Sequence, residues 1–299
     1  LLAGEPGVGK STLLLEVAAQ SARAAHRALY ITGEESAAQV RLRADRTGGV
    51  HEELFIAAET DLGAVLTHVE QVRPTLLVID SVQTIAAPGV DGVPGGVTQV
   101  KEVAAALVRV AKTRNITTVL IGHVTKDGSI AGPRVLEHLV DAVLHFEGER
   151  TSRFRMVRAV KNRFGPVDEV GCFELAADGI SAVADPTGLF VESHSRQVPG
   201  TCVAVTMEGR RPLLAEVQAL VTPSAADRPR RVTSGVDSAR VALVCAVLQQ
   251  HCGLRLHGQD IFVSTVGGAR LSEPATDVAV ALAIASAYFG VAPPAGVTA

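Results

Sequence analysis

The residues best suited to chemistry stand at the start of the sequence. Gly4-Glu5-Pro6-Gly7-Val8-Gly9-Lys10-Ser11 meets the pattern G-x-x-x-x-G-K-[ST] at every fixed position, and Thr12 follows. A loop of this kind binds a nucleoside triphosphate. Its glycines let backbone N–H groups approach phosphate oxygens, Lys10 brings a point charge to the β and γ phosphates, and Ser11 offers a hydroxyl to Mg²⁺. The apolar period Leu13, Leu14, Val17, Ala18 predicts a helix from Thr12 to about Ala25, with the positive end of its dipole aimed at the same anion. A plain Gly-rich turn is the alternative, and the helical period argues against it.

A second group of acids fits the same chemistry. Leu76-Leu77-Val78-Ile79-Asp80-Ser81 is an apolar strand ending in a carboxylate that can organise Mg²⁺; alone it could equally be a strand with a capping Asp. Hydrolysis also needs a group to orient water towards the γ phosphate. Gly33-Glu34-Glu35-Ser36 lies at the end of a predicted strand, with Glu34 the first choice and Glu35 the second. The bland reading is that these acids only favour the start of the next helix. Ile121-Gly122-His123 ends another strand, and His123 either senses the γ phosphate or is a hydrogen-bonded histidine at a sheet edge. Lys161 and Arg163, in Lys161-Asn162-Arg163-Phe164-Gly165, stand two apart on an extended strand and hence on one face. They could clamp the phosphate of a neighbouring subunit in trans, or line a solvated edge.

The elements that must position these residues alternate. Strands are expected at Arg27 to Thr32, Leu54 to Ala57, Thr75 to Asp80 and Thr117 to Ile121, with helices at Ala37 to about Thr47, Leu62 to Val72 and about Thr98 to Arg114. This alternation predicts a mostly parallel sheet with helices on both faces. Short strands follow at Ala142 to Glu147, Phe154 to Lys161 and Val170 to Leu175. Pro186, Gly188, Pro199 and Gly200 mark a boundary, giving units 1–187 and 188–299. The second unit reads as strands Thr201 to Met207, Leu213 to Leu220 and Asp260 to Thr265, a basic loop Asp227 to Arg231, and helices Ser238 to about Cys252 and Ala275 to about Tyr288. Only Leu1, Leu2 and Ala3 precede the phosphate loop, so the chain reads as starting inside its first strand and as a piece of a longer protein. The last residues end in no clear element, which suggests a cut there also.

The 299 residues are 47% hydrophobic and 20% charged, an ordinary soluble composition long enough for two domains. A net charge of -3 gives no bulk case for nucleic-acid binding, so any basic surface must be local; Arg153, Arg155 and Arg158 supply such charge or form a solvated face. Trp is absent, which weakens any stacking platform for single-stranded bases. Cys172, Cys202, Cys245 and Cys252 form no C-x-x-C pair, so neither a zinc site nor a disulfide framework is expected, and the chain reads as reduced and cytoplasmic. No apolar run reaches the length of a bilayer span, so no membrane partner is expected.

GEPGVGKST, YITGEES, LLVIDSVQT, IGHVTKDGSIAGPRVLEH and KNRFG together resemble the bacterial RadA (Sms) family of RecA-like recombination and repair ATPases. Residues 200 to 290 are similar to that family's Lon-protease-like C-terminal domain. The resemblance implies an α/β fold with a RecA-type P-loop ATPase core and a smaller Lon-like α+β domain. It further implies a homo-hexameric ATP- and Mg²⁺-dependent DNA motor promoting branch migration alongside RecA recombinase, on single-stranded and branched DNA. Lys10, Ser11 and Thr12 would act at the phosphates, Ser11 and Asp80 at Mg²⁺, Glu34 as base, and Lys161 and Arg163 across a subunit interface. The loop Thr125 to Arg134 corresponds to a DNA-contacting region, with Lys126 and Arg134 its only cations; it could equally be an active-site lid. Arg228, Arg230, Arg231 and Arg270 are further candidate phosphate contacts. The family's four-cysteine zinc finger has no counterpart among these residues. Lon-type proteolysis needs a serine, yet Ala275 stands at that position in ARLSEPATD, Ser272 falls three residues early, and no lysine follows, so the domain is expected to be proteolytically inactive. The alternative is a RecA-like switch resembling KaiC-type ATPases, which share the paired Glu34 and Glu35 and bind proteins rather than DNA.

Overall fold

The computed structural model describes residues 1–123, 135–148, 152–184, 186, 191, 198–226, 228–266, 269–294 and 299. The chain divides into two compact units, Leu1–Val183 and Ala184–Ala299.

In the first unit, strands alternate with helices along the chain. Strand β1 (Leu2–Gly4) leads into helix α1 (Lys10–Arg23), β2 (Ala28–Thr32) into α2 (Ala37–Arg46), β3 (Leu54–Ala58) into α3 (Leu62–Val72), and β4 (Leu76–Asp80) into α4 (Val97–Arg114). Strands β5 (Thr117–His123), β6 (Ala142–Glu147), β7 (Phe154–Asn162), β8 (Val170–Ala176) and β9 (Gly179–Ala182) complete a nine-stranded sheet in the order β3-β2-β4-β5-β1-β6-β7-β8-β9. The pairs from β3 to β6 are parallel, and those from β6 to β9 antiparallel. Side-chain alternation feeds two cores. Leu29, Ile31, Leu77 and Ile79 join the cluster that includes Val65 and Val103, whereas Tyr30, Leu76 and Val78 join the one with Leu14, Ala18 and Val40. Apolar residues at both parities are what a parallel strand covered on both faces requires.

The second unit holds a four-stranded sheet, β10 (Thr201–Glu208), β11 (Arg211–Pro223), β13 (Gln259–Thr265) and β12 (Arg231–Ser234), in that order. Helix α6 (Asp277–Phe289) packs on β10 and β11 and against α5 (Ser238–Cys252). The residues from Arg231 onward form a strand rather than the end of a basic loop. Arg231-Val232-Thr233-Ser234 pairs on one side only, in parallel with β13, and a polar edge strand of this kind lacks the apolar alternation that would announce it. Among the described residues no helix is long and apolar enough to cross a membrane.

Candidate nucleotide site

Four neighbouring strands, β2, β4, β5 and β1, bring their carboxyl ends to one place, and each delivers one of the residues singled out in the sequence. Ligands collect at this edge in open α/β sheets. Strand β1 delivers the phosphate loop. Gly7 (φ 80°) and Gly9 (φ 107°) hold left-handed backbone that side chains resist, and Gly9 occupies the N-cap of α1 without any side-chain cap. The helix N-terminus is therefore left open for an anion. Lys10 is 3% exposed, and its Nζ donates to Gly4 O at 2.9 Å and Glu5 O at 2.8 Å, so the loop's own carbonyls hold the ammonium. Ser11 and Thr12 lie in the first turn of α1.

Strand β2 delivers Glu34. Both glutamates precede α2: Ser36 is its N-cap in a capping box with Gln39, and the Glu34 and Glu35 amides donate to Thr32 Oγ1 at 3.2 and 3.1 Å. The two acids then diverge. Glu34 Oε1 accepts from Ser81 Oγ at 2.7 Å and meets His123 Nε2 at 2.8 Å, whereas Glu35 pairs with Arg43 at 3.0 Å. The geometry thus separates the first and second choices for the water-orienting acid.

Strand β4 delivers Asp80, 3% exposed, with a cis Asp80–Ser81 peptide after it. Asp80 Oδ2 accepts from the buried Tyr30 hydroxyl at 2.5 Å, while Oδ1 is buried without a partner among the described residues. That orphaned acceptor suits a cation or its water, since buried polar atoms are ordinarily satisfied. Ligand atoms of Glu34, Asp80 and His123 lie within 4.8 Å of one another, so the residues present fit the Mg²⁺ that a triphosphate brings.

Two displaced ionisations bear on the anion and its water. The His123 hydrogen bond, reinforced by Ser81 and Lys10, holds Glu34 down to about 2, so this carboxylate stays charged through the neutral range. Burial lowers Lys10 to about 8, against the pull of Asp80, Glu34 and Glu5. Phosphate binding requires the ammonium and raises its pKa again. MgATP affinity is therefore expected to be flat below about pH 8 and to fall above it, by up to about tenfold per pH unit. Calorimetric titrations from pH 6.5 to 9.5 check this, and constant affinity across that range would contradict it.

Tyr30 and Ser81 escaped the motif reading. Tyr30 sits in a wholly buried strand beside β4, and a hydroxyl there must find a partner, which is the signal that could have marked it. Tyr30→Phe strips the remaining buried partner from Asp80 and is expected to destabilise the fold by about 1–3 kcal/mol. Urea unfolding reads this; unchanged stability would show that the hydrogen bond contributes nothing.

The remaining candidates scatter. Lys126 and Arg134 lie outside the described residues. Arg163 falls one residue beyond β7, and its N–H still donates to Asp141 O at 3.0 Å, which continues the pairing of Lys161 with Val143 and Asn162 with Ala142. Within this chain Lys161 Nζ donates to Glu137 O at 2.5 Å and Val140 O at 2.8 Å, and Arg163 pairs with Asp141 at 3.1 Å. Among the described residues, Arg153 and the arginines of β7 make no patch of free positive charge: Arg153 pairs with Glu174, Arg158 with Glu147, and Arg155 is buried. In the second unit Arg230 Nε and a terminal nitrogen both donate to Asp260 Oδ2 while its backbone N–H donates to Oδ1, and Arg231 donates to the carbonyls of Arg230, Gln259 and Leu256; Arg228, Arg230 and Arg231 are all exposed.

Comparison with known proteins agrees with this geometry. The AAA domain family profile matches residues 1–129. The solved structure of a DnaB-like replicative helicase shares the fold alone, at a TM-score of 0.51 and 12% identity over 59% of this chain and 54% of that one. Fold and site define a P-loop ATPase of the RecA-like class. Over 98% of its length the chain is 58% identical to the DNA repair protein RadA of Mycolicibacterium smegmatis, and over 96% it is 52% identical to that of Streptococcus pyogenes serotype M1. Over nearly its whole length it is thus similar to proteins named DNA repair protein RadA. The chain spans 64% and 63% of the length of those two relatives.

Proposed function

We propose that this chain is the ATP-hydrolysing part of a DNA motor for recombination and repair, promoting branch migration alongside RecA recombinase. The observation that carries the reading is the convergence of Lys10, Glu34, Asp80 and His123 at four adjacent strand ends, in a relative of DNA repair proteins. In the proposed cycle Lys10 exchanges the Gly4 and Glu5 carbonyls for phosphate oxygens, and Glu34 orients the attacking water. Ser11 and Asp80 would hold Mg²⁺, which would supply charge neutralisation at the phosphates. His123 holds Glu34 Oε1, and it lies two residues before Thr125 to Arg134, where the DNA-contacting loop is expected. A displacement of His123 by DNA would release Glu34, which gives DNA a route to the rate.

We further propose a homo-hexameric ring whose sites are completed by Lys161 and Arg163 of the adjacent subunit, and a Lon-like second unit that scaffolds the ring without proteolysis, since Ala275 replaces the nucleophile. In such a ring Lys161 would leave the carbonyls of Glu137 and Val140. The test mixes Lys161→Ala subunits with Lys10→Ala subunits of the full-length protein. Each parent is expected to be inactive and the mixture to recover hydrolysis, because some interfaces then pair an intact phosphate loop with an intact finger. Absence of recovery in assemblies shown to be mixed contradicts the trans role. DNA affinity is expected to fall steeply with salt; salt-indifferent or absent binding points instead to a protein-binding switch.

A further inference from the structure

Among the described residues Arg155 is the most deeply buried cation of the antiparallel extension, at 4% exposure, and the catalytic reading makes no use of it. Its Nε donates to Val8 O at 2.7 Å, while one terminal nitrogen donates to Ser152 O at 2.5 Å and Phe154 O at 2.8 Å. The fork therefore ties strand β7 to the middle of the phosphate loop. Its passage requires a glycine alongside, because a Cβ at Gly148 would overlap Arg155 Cδ. Gly9 rests on the same extension: a Cβ there would touch Leu175 of β8 and Phe146 of β6 at 3.5 and 3.6 Å.

The tethered carbonyl is the informative one. Val8 stands between Gly7 and Gly9, the two positive-φ residues of the loop, so the peptides around it have the greatest freedom to rotate. A trans peptide is planar, with its carbonyl and N–H on opposite sides. Holding Val8 O towards Arg155 therefore aims the Gly9 N–H away from Arg155. If that peptide turned over, the loop would present a carbonyl where phosphate needs a donor. Lys10 anchors the loop at Gly4 and Glu5 and must leave them when phosphate arrives, whereas Arg155 holds Val8 O from strand β7.

We propose that Arg155 is a positioning residue of the nucleotide site, which fixes the Val8–Gly9 peptide so that the phosphate loop is shaped before ligand binds. The proposal rests on the nucleotide-binding reading of the loop. A tether that acts on loop shape serves ground state and transition state alike, so its loss should appear in binding and not in turnover.

The test measures MgADP and MgATPγS binding by calorimetry, and steady-state hydrolysis, for the full-length wild type, Arg155→Gln and Arg155→Lys. Arg155→Gln is expected to weaken both nucleotides by the same factor, about tenfold or more, with kcat at saturating ATP within about twofold of wild type. Lysine keeps the charge and one donor but cannot serve three carbonyls from a fork, so Arg155→Lys should fall between. Unchanged affinity in Arg155→Gln overturns the proposal, as does a fall in kcat with affinity intact, which would assign Arg155 to the reaction itself. If the glutamine variant does not fold, Arg155→Lys decides, and wild-type affinity there overturns it. Failure of the wild type to bind MgADP would instead sink the nucleotide reading of the loop.

Discussion

Glu34→Gln is expected to lower ATP turnover by about 10²–10⁴-fold while MgATP binds within a few-fold of wild type, the range over which a positioned acid–base group contributes. The amide keeps the shape of the side chain between Ser81 and His123 but removes the negative charge that draws an attacking water into line. Because the His123 hydrogen bond holds Glu34 down to about 2, its ionisation should leave no inflection in the kcat profile between pH 5 and 9. Glu35→Gln is the matched control. Glu35 is committed to Arg43 and should lose little turnover. Single-turnover hydrolysis of prebound MgATP separates the two residues, and a larger loss in Glu35→Gln would reverse the assignment.

Lys10→Ala is expected to act at an earlier step, abolishing measurable nucleotide binding and with it at least about 10²-fold of kcat/KM, because the charge-assisted hydrogen bonds to the phosphates have no substitute in the loop. Burial disfavours the Lys10 ammonium in the free protein. Alanine removes that penalty, so the thermal unfolding midpoint should not fall with the activity. Calorimetry with MgADP and a thermal melt on the same sample check both halves. Retained MgADP affinity would contradict the assignment of the loop, and a large drop in the midpoint would turn the loss of binding into a folding defect.

How far the sequence foretold this site follows from what each residue must do locally. The phosphate loop, the strand to Asp80 and the turn carrying Glu34 were legible because their chemistry is written in contiguous residues with an obligatory backbone shape. Helices α3 and α5 match their expected limits, since the Asp61 and Asp237 N-caps and the apolar period agree. What escaped is non-local. Tyr30 acts on Asp80 across a strand pair, and Arg155 acts on Val8 from a strand far along the chain, a position where an arginine reads as surface. Strand β9, Gly-Ile-Ser-Ala, and strand β12 are edge strands with too few apolar residues to signal themselves. For Arg230 and Arg231 the sequence shows the charge but not the Asp260 carboxylate and the carbonyls to which they donate.

Whether DNA governs hydrolysis at this site is decided by the steady-state ATP turnover of the full-length protein, with and without single-stranded DNA at low and high salt. Stimulation by DNA that fades as salt rises is expected, because phosphate contacts release counterions. Turnover indifferent to DNA at every salt concentration would contradict the motor and leave a RecA-like ATPase that answers to a protein partner.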